Sequence, residues 1–173
     1  MPRVRGEFEQ WLIEQMSRES HYVEKLMEHV FLGELLQECW FHRKKVVEVL
    51  RAEVDAAGYD VILEVDGTIR HVQLKASRRG GSTRHQDVNR KLEDRVGGCI
   101  IWMEYSASES APLTVLYRWR EARDLPGRRG ANLRKCRLTR DDFTHKTERI
   151  ADLVDLLFPP ARRKARRSPL DGS

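Results

Sequence analysis

Apolar positions in the first part of the chain recur at helical spacing. Phe8, Trp11, Leu12 and Met16 form one stripe; Tyr22, Val23, Leu26, Met27, Val30, Phe31, Leu35 and Leu36 form a second, broader one. The spacing predicts helices over 7–39, with Ser20 as N-cap of the second and at least one helix lying flat on a sheet. After Arg43-Lys44-Lys45 the period changes. Val46–Leu50 is short and β-branched, Asp55–Gly58 is a turn, and Tyr59–Val65 reads as a second strand. Asp66-Gly67 is a strong hairpin signal and returns the chain as Thr68–Ala76. A basic, glycine-containing loop over 78–84 and a short helix over about 86–95 follow. The nearly unbroken apolar run Cys99–Tyr105 predicts a strand buried on both faces. Leu113–Trp119 is a further strand, 121–138 is irregular, and Thr147 caps a final helix over about 147–158. The order αα-βββ-α-ββ-α describes an α/β fold, a mixed central sheet flanked by helices, in one domain over 1–158.

Alternation along the returning strand turns Val72, Leu74 and Ala76 to one face and His71, Gln73, Lys75 and Ser77 to the other. A lysine and an amide inside a sheet cost several kcal/mol unless something pairs with them. Asp60, opposite them at the open end of the hairpin, is the candidate partner. The alternative is an ion pair that only sets the hairpin register.

Asp60, followed thirteen positions later by Gln73-Leu74-Lys75, resembles the signature of the PD-(D/E)xK nuclease superfamily, whose members include restriction enzymes and Holliday-junction resolvases. In that family an acid begins the second core strand and a (D/E/Q)-x-K triplet lies on the third. Ala57-Gly58-Tyr59-Asp60 lacks the proline of the family's name, and Gln73 stands where an acid is commoner. The resemblance covers roughly residues 30–105 and implies a restriction-endonuclease-like core. It further implies hydrolysis of phosphodiester bonds in DNA, with magnesium, or manganese in its place, as cofactor. Asp60, the Gln73 amide oxygen, the Leu74 carbonyl and a glutamate from the first helix would be the metal's oxygen ligands, which suit a hard cation. Glu34 is the candidate glutamate, with Glu38 one turn on. Lys75 would orient or deprotonate the attacking water, or stabilise developing charge on phosphate. Because Gln73 is neutral, a nuclease-fold module that binds nucleic acid or assembles with a partner without cutting is the rival reading.

Charge and composition narrow the setting. The 173 residues are 34% charged with a formal net charge of +5. The excess is uneven: residues 1–57 hold eleven Asp and Glu against eight Lys and Arg, and the last thirteen hold five Arg and Lys against one Asp. Arg78, Arg79 and Arg84 in the glycine-containing loop, with Arg162, Arg163 and Lys164 in a proline-flanked tail over 159–173, are candidate phosphate contacts. The rival is a solvated loop and a solubilising end. Specificity would then come from DNA structure, a homodimer or a protein partner. No apolar run is long enough to span a membrane. Cys39, Cys99 and Cys136 are far apart, without a paired spacing, which predicts packing residues in a reducing cytoplasm.

Overall fold

The N-terminal apolar spacing forms α1 (Glu7–Arg18) and α2 (Ser20–Gln37), then one π-helical turn over Glu38–His42. These belong to a computed structural model that describes residues 6–51, 58–127 and 134–159. Ser20 is the first residue of α2 and not its cap; Glu19 holds the cap position, without a side-chain bond. Along the chain follow β1 (Glu48–Arg51), β2 (Val61–Val65), β3 (Thr68–Arg78), β4 (His85–Asn89), β5 (Cys99–Ser108), β6 (Ala111–Glu121), β7 (Lys135–Thr139), β8 (His145–Thr147) and α3 (Ile150–Leu157). The Asp66-Gly67 turn has φ of 49° and 79°, both left-handed, as a two-residue hairpin of this kind requires.

Two further expectations need correction. In place of the helix expected over 86–95, the chain forms β4 and then a 3₁₀ turn over Arg90–Asp94. The cause is a distant partner: β7, inside the stretch read as irregular, pairs antiparallel with β4 from His85–Thr139 to Asn89–Lys135. Thr147 ends β8 and does not cap α3. Its hydroxyl nevertheless holds the first turn, accepting from the Arg149 N–H at 3.0 Å and donating to Asp152 at 2.8 Å.

The central sheet has six strands in the order β1-β2-β3-β5-β6-β8. β3 and β5 are parallel and the other neighbours antiparallel, so the fold is α/β around a mixed sheet, as the sequence predicts. β5 is buried on both faces. Cys99, Ile101 and Met103 meet Met27, Phe31 and Leu35 of α2 and Leu153 and Leu157 of α3 in one core. Ile100 and Trp102 enter a second core with Val88, Leu92, Leu138 and Phe143 beneath the β4–β7 ribbon. Each fully buried side chain of this size contributes roughly 1.5–3 kcal/mol. The two cores hold β3 and β5 rigidly, and the candidate site hangs on β3.

Candidate functional site

β3 is longer than the strand beside it. β2 begins at Val61, opposite Val72, so on that edge no strand among the described residues pairs with Gln73–Arg78. Asp60 fills the first position of this notch. Its N–H donates to the Val72 carbonyl at 2.9 Å, and its Oδ2 accepts from the Leu74 N–H at 2.6 Å, where a ladder carbonyl would otherwise stand. The N–H and C=O of one strand residue point to the same edge, which turns the Leu74 carbonyl to the notch too. Gly58 permits the approach: its φ is +81°, and a Cβ there would lie 2.9 Å from the Asn89 side chain. Asn89 in turn donates its N–H to Gln73 Oε1 at 3.0 Å.

The notch opens into a cavity of about 480 Å3 lined by Asp60, Gln73, Leu74 and Lys75, by Glu24, Lys25 and Glu28 of α2, and by Gln86. The structure thus brings Asp60, Gln73, Leu74 and Lys75 together. Lys75 is half-buried, and among the described residues no carboxylate lies within 4.0 Å of its ammonium.

Glu34 does not line the cavity. Its Oε2 accepts from the Tyr117 hydroxyl at 2.6 Å over β6, and burial together with that bond raises the tyrosine's pKa. Glu38 is bound to Arg43 at 3.0 Å. α2 brings two acids to the cavity, Glu24 and Glu28; Glu28 is the buried one, with Lys25 at 2.8 Å and Arg51 at 3.4 Å from its two oxygens. Positions six apart on a helix differ by about 240° around its axis. With Met27, Phe31 and Leu35 turned to the sheet, Glu28 faces the notch and Glu34 does not. The adjacency of Glu28 to Met27 in the buried stripe was the available signal.

The loop after β3 leads to a second cleft of about 420 Å3 formed by Arg79, Gly80, Gly81, Arg84, Glu104, Arg118 and Arg140. A hollow of about 450 Å3 joins it to the first, sharing Glu24 and Ala76 with one and Gly80 and Gly81 with the other. Arg79 is paired with Glu148 at 3.0 Å and Arg78 with Glu9 at 3.3 Å. Arg118 and Arg140 come from distant parts of the chain, and no local pattern announces them. Both bind the buried Glu104, at 2.6 and 2.5 Å. Arg162, Arg163 and Lys164 lie outside the described residues.

Burial alone would raise the Glu104 carboxyl, but hydrogen bonds from Arg118 and Arg140 prevail and hold it below the ordinary range. A carboxylate held low contributes stability that is present above the unfolded value of about 4.3 and is lost as pH falls through the folded one. Glu104→Gln should cost about 3 kcal/mol at pH 7 by leaving two arginines short of their partner. In urea titrations from neutral to acid pH, its deficit against wild type is expected to shrink below about pH 4; a deficit constant with pH would contradict this account.

The three cysteines are buried and free, and burial pushes the Cys99 thiol up to about 12, in keeping with packing roles. Among the described residues no three His, Cys, Asp or Glu side chains are grouped to hold a metal ion, and no helix is long and apolar enough to cross a membrane. No family model and no curated protein matches this chain.

Proposed function

We propose that this chain is a metal-dependent endonuclease that hydrolyses phosphodiester bonds in DNA at the notch beside β3. The observation that carries the reading is the meeting of Asp60, Gln73 and Lys75, an ammonium without an ion partner among the described residues, in one cavity whose helix wall supplies a buried carboxylate. The oxygen set available, Asp60 with the Gln73 amide and the Leu74 carbonyl, suits magnesium or manganese. The protein oxygens already engaged by an N–H retain a second lone pair. A divalent ion held there would polarise the phosphate and lower the pKa of a bound water. Lys75 would hold the attacking water or the charge that gathers on the phosphate oxygens; the water oxygen would bond to phosphorus as the P–O3′ bond breaks, with the water's proton passing to solvent and O3′ taking one up, leaving a 5′-phosphate and a 3′-hydroxyl. The joined clefts, with Arg84 at their far end, give the DNA backbone a path away from the cut.

A specific observation favours the rival, a nuclease-fold module that binds nucleic acid without cutting. Gln73 is neutral and Glu28 is already held by Lys25 and Arg51, so negative charge at the notch is low. Incubating supercoiled, linear and branched DNA with magnesium or manganese separates the two. Metal-dependent cutting supports the endonuclease; salt-sensitive binding without cutting supports the module.

Within the nuclease reading, Glu28→Gln is expected to lower cleavage about 10–100-fold and to raise the metal concentration needed. Glu34→Gln should leave cleavage within about twofold and cost about 1 kcal/mol of stability through its bond to Tyr117. Metal titrations of the two variants check this, and the opposite ranking would restore Glu34 to the site.

A further inference from the structure

The arginine cleft beyond β3 holds more positive charge than the side chains around it neutralise. Glu104 is 2% exposed, and each of its oxygens takes one guanidinium: Arg140 Nε donates to Oε1 at 2.5 Å and Arg118 Nε to Oε2 at 2.6 Å. Burying a carboxylate is costly unless cations hold it, and here two cations share one anion. Among the described residues neither guanidinium makes another hydrogen bond or ion pair, so the terminal nitrogens of both forks keep their donors. The Trp102 ring, 5.0 Å from the Arg140 guanidinium, helps to fix its place. Two more cations stand beside this pair. Arg84 is exposed and lines the same cleft, and Lys146 of β8 lies directly across from Arg118 of β6, on the same face. Like charges opposite one another in a sheet are destabilising, and an anion shared between them would relieve this. Among the described residues no carboxylate lies within 4.0 Å of Arg84 or Lys146.

Arg84, Arg118, Arg140 and Lys146 against Glu104 leave three positive charges in excess. A phosphodiester inside a strand brings a single negative charge. A phosphate monoester brings about −1.5 to −2 at pH 7 and three acceptor oxygens, which guanidinium forks bind in pairs. We propose that this cleft binds the terminal phosphate monoester of a nucleic-acid strand. The intervening hollow joins the cleft to the notch, so a strand anchored here by its end would continue towards Asp60 and Lys75. End binding rests on the reading that nucleic acid occupies the joined clefts, but not on any cutting there.

Fluorescence anisotropy of the full chain, with EDTA so that no cutting intervenes, tests this on a short single strand of DNA labelled on an internal base. The strand carries a 5′-phosphate, a 3′-phosphate or hydroxyls at both ends. One phosphorylated end should bind at least about tenfold more tightly than the hydroxyl-ended strand, and the preferred end gives the polarity. The ratio is taken within each protein, so a general loss of DNA affinity cancels. Arg84→Gln leaves Glu104 and its two partners in place and should reduce the ratio to about threefold or less. Arg123→Gln removes an exposed arginine after the end of β6 and should keep it. Inorganic phosphate at constant ionic strength should abolish the ratio by taking the site itself. Strands bound equally whatever their ends, a ratio unchanged in Arg84→Gln, or one that falls equally in Arg84→Gln and Arg123→Gln, overturn the terminal-phosphate site while DNA binding stands. If no strand binds, the DNA reading fails and this site fails with it.

Discussion

Asp60→Asn and Lys75→Met are each expected to lower metal-dependent DNA cleavage on the order of 10³-fold, about 4 kcal/mol in the barrier. The substituted amide would keep an oxygen to accept the Leu74 N–H, so the notch should retain its shape while losing the one carboxylate that begins the strand. Methionine keeps most of the apolar stem of Lys75 and removes the ammonium. DNA binding should stay within a few-fold of wild type or tighten in Asp60→Asn, because removing a negative charge favours phosphate. Single-turnover cleavage, filter binding and thermal midpoints measured together decide the matter. Cutting that survives in either variant, with the fold intact, would remove the notch from the chemistry.

Trp102→Ala is expected to cost about 3–5 kcal/mol, a large part of a typical total of 5–15. Trp102 is wholly buried in the core beneath the β4–β7 ribbon, its ring centroid 5.7 Å from that of Phe143. Its indole N–H donates to Ser77 Oγ at 2.8 Å, and the Arg140 guanidinium lies 5.0 Å over the ring. One side chain thus joins the second core, the end of β3 and the arginine cleft. The thermal midpoint should fall on the order of 10 °C. Trp102→Phe keeps an aromatic ring and strands only the Ser77 hydroxyl, for about 1 kcal/mol. Urea unfolding of both variants checks the ranking; a loss below about 1 kcal/mol in Trp102→Ala would show that the core closes over the gap.

The parts of this protein legible in its sequence are those governed by short-range chemistry. Asp66-Gly67 specifies its own turn because both positions take left-handed φ, and it thereby sets Asp60 opposite Gln73. The unbroken run at Cys99–Tyr105 announces a strand with a core on each face, and the three- and four-residue spacing announces α2. From these the mixed α/β sheet and the meeting of Asp60, Gln73 and Lys75 could be expected. Other features depended on contacts between distant segments. Val88 and Leu92, four apart, suit a helical turn equally well, and only the long-range pairing with Lys135–Thr139 draws His85–Asn89 into a strand. The choice of Glu28 over Glu34 rests on how α2 is rotated about its axis. That rotation is set by which apolar side chains find room against β3 and β5, since α2 offers apolar residues on both sides. Arg118 and Arg140 come together around Glu104 because the neighbouring strand and the chain after β7 are folded against β5. Local propensity acts within a turn or two of chain, whereas helix rotation, strand partners and charge clusters are settled by packing across the whole molecule.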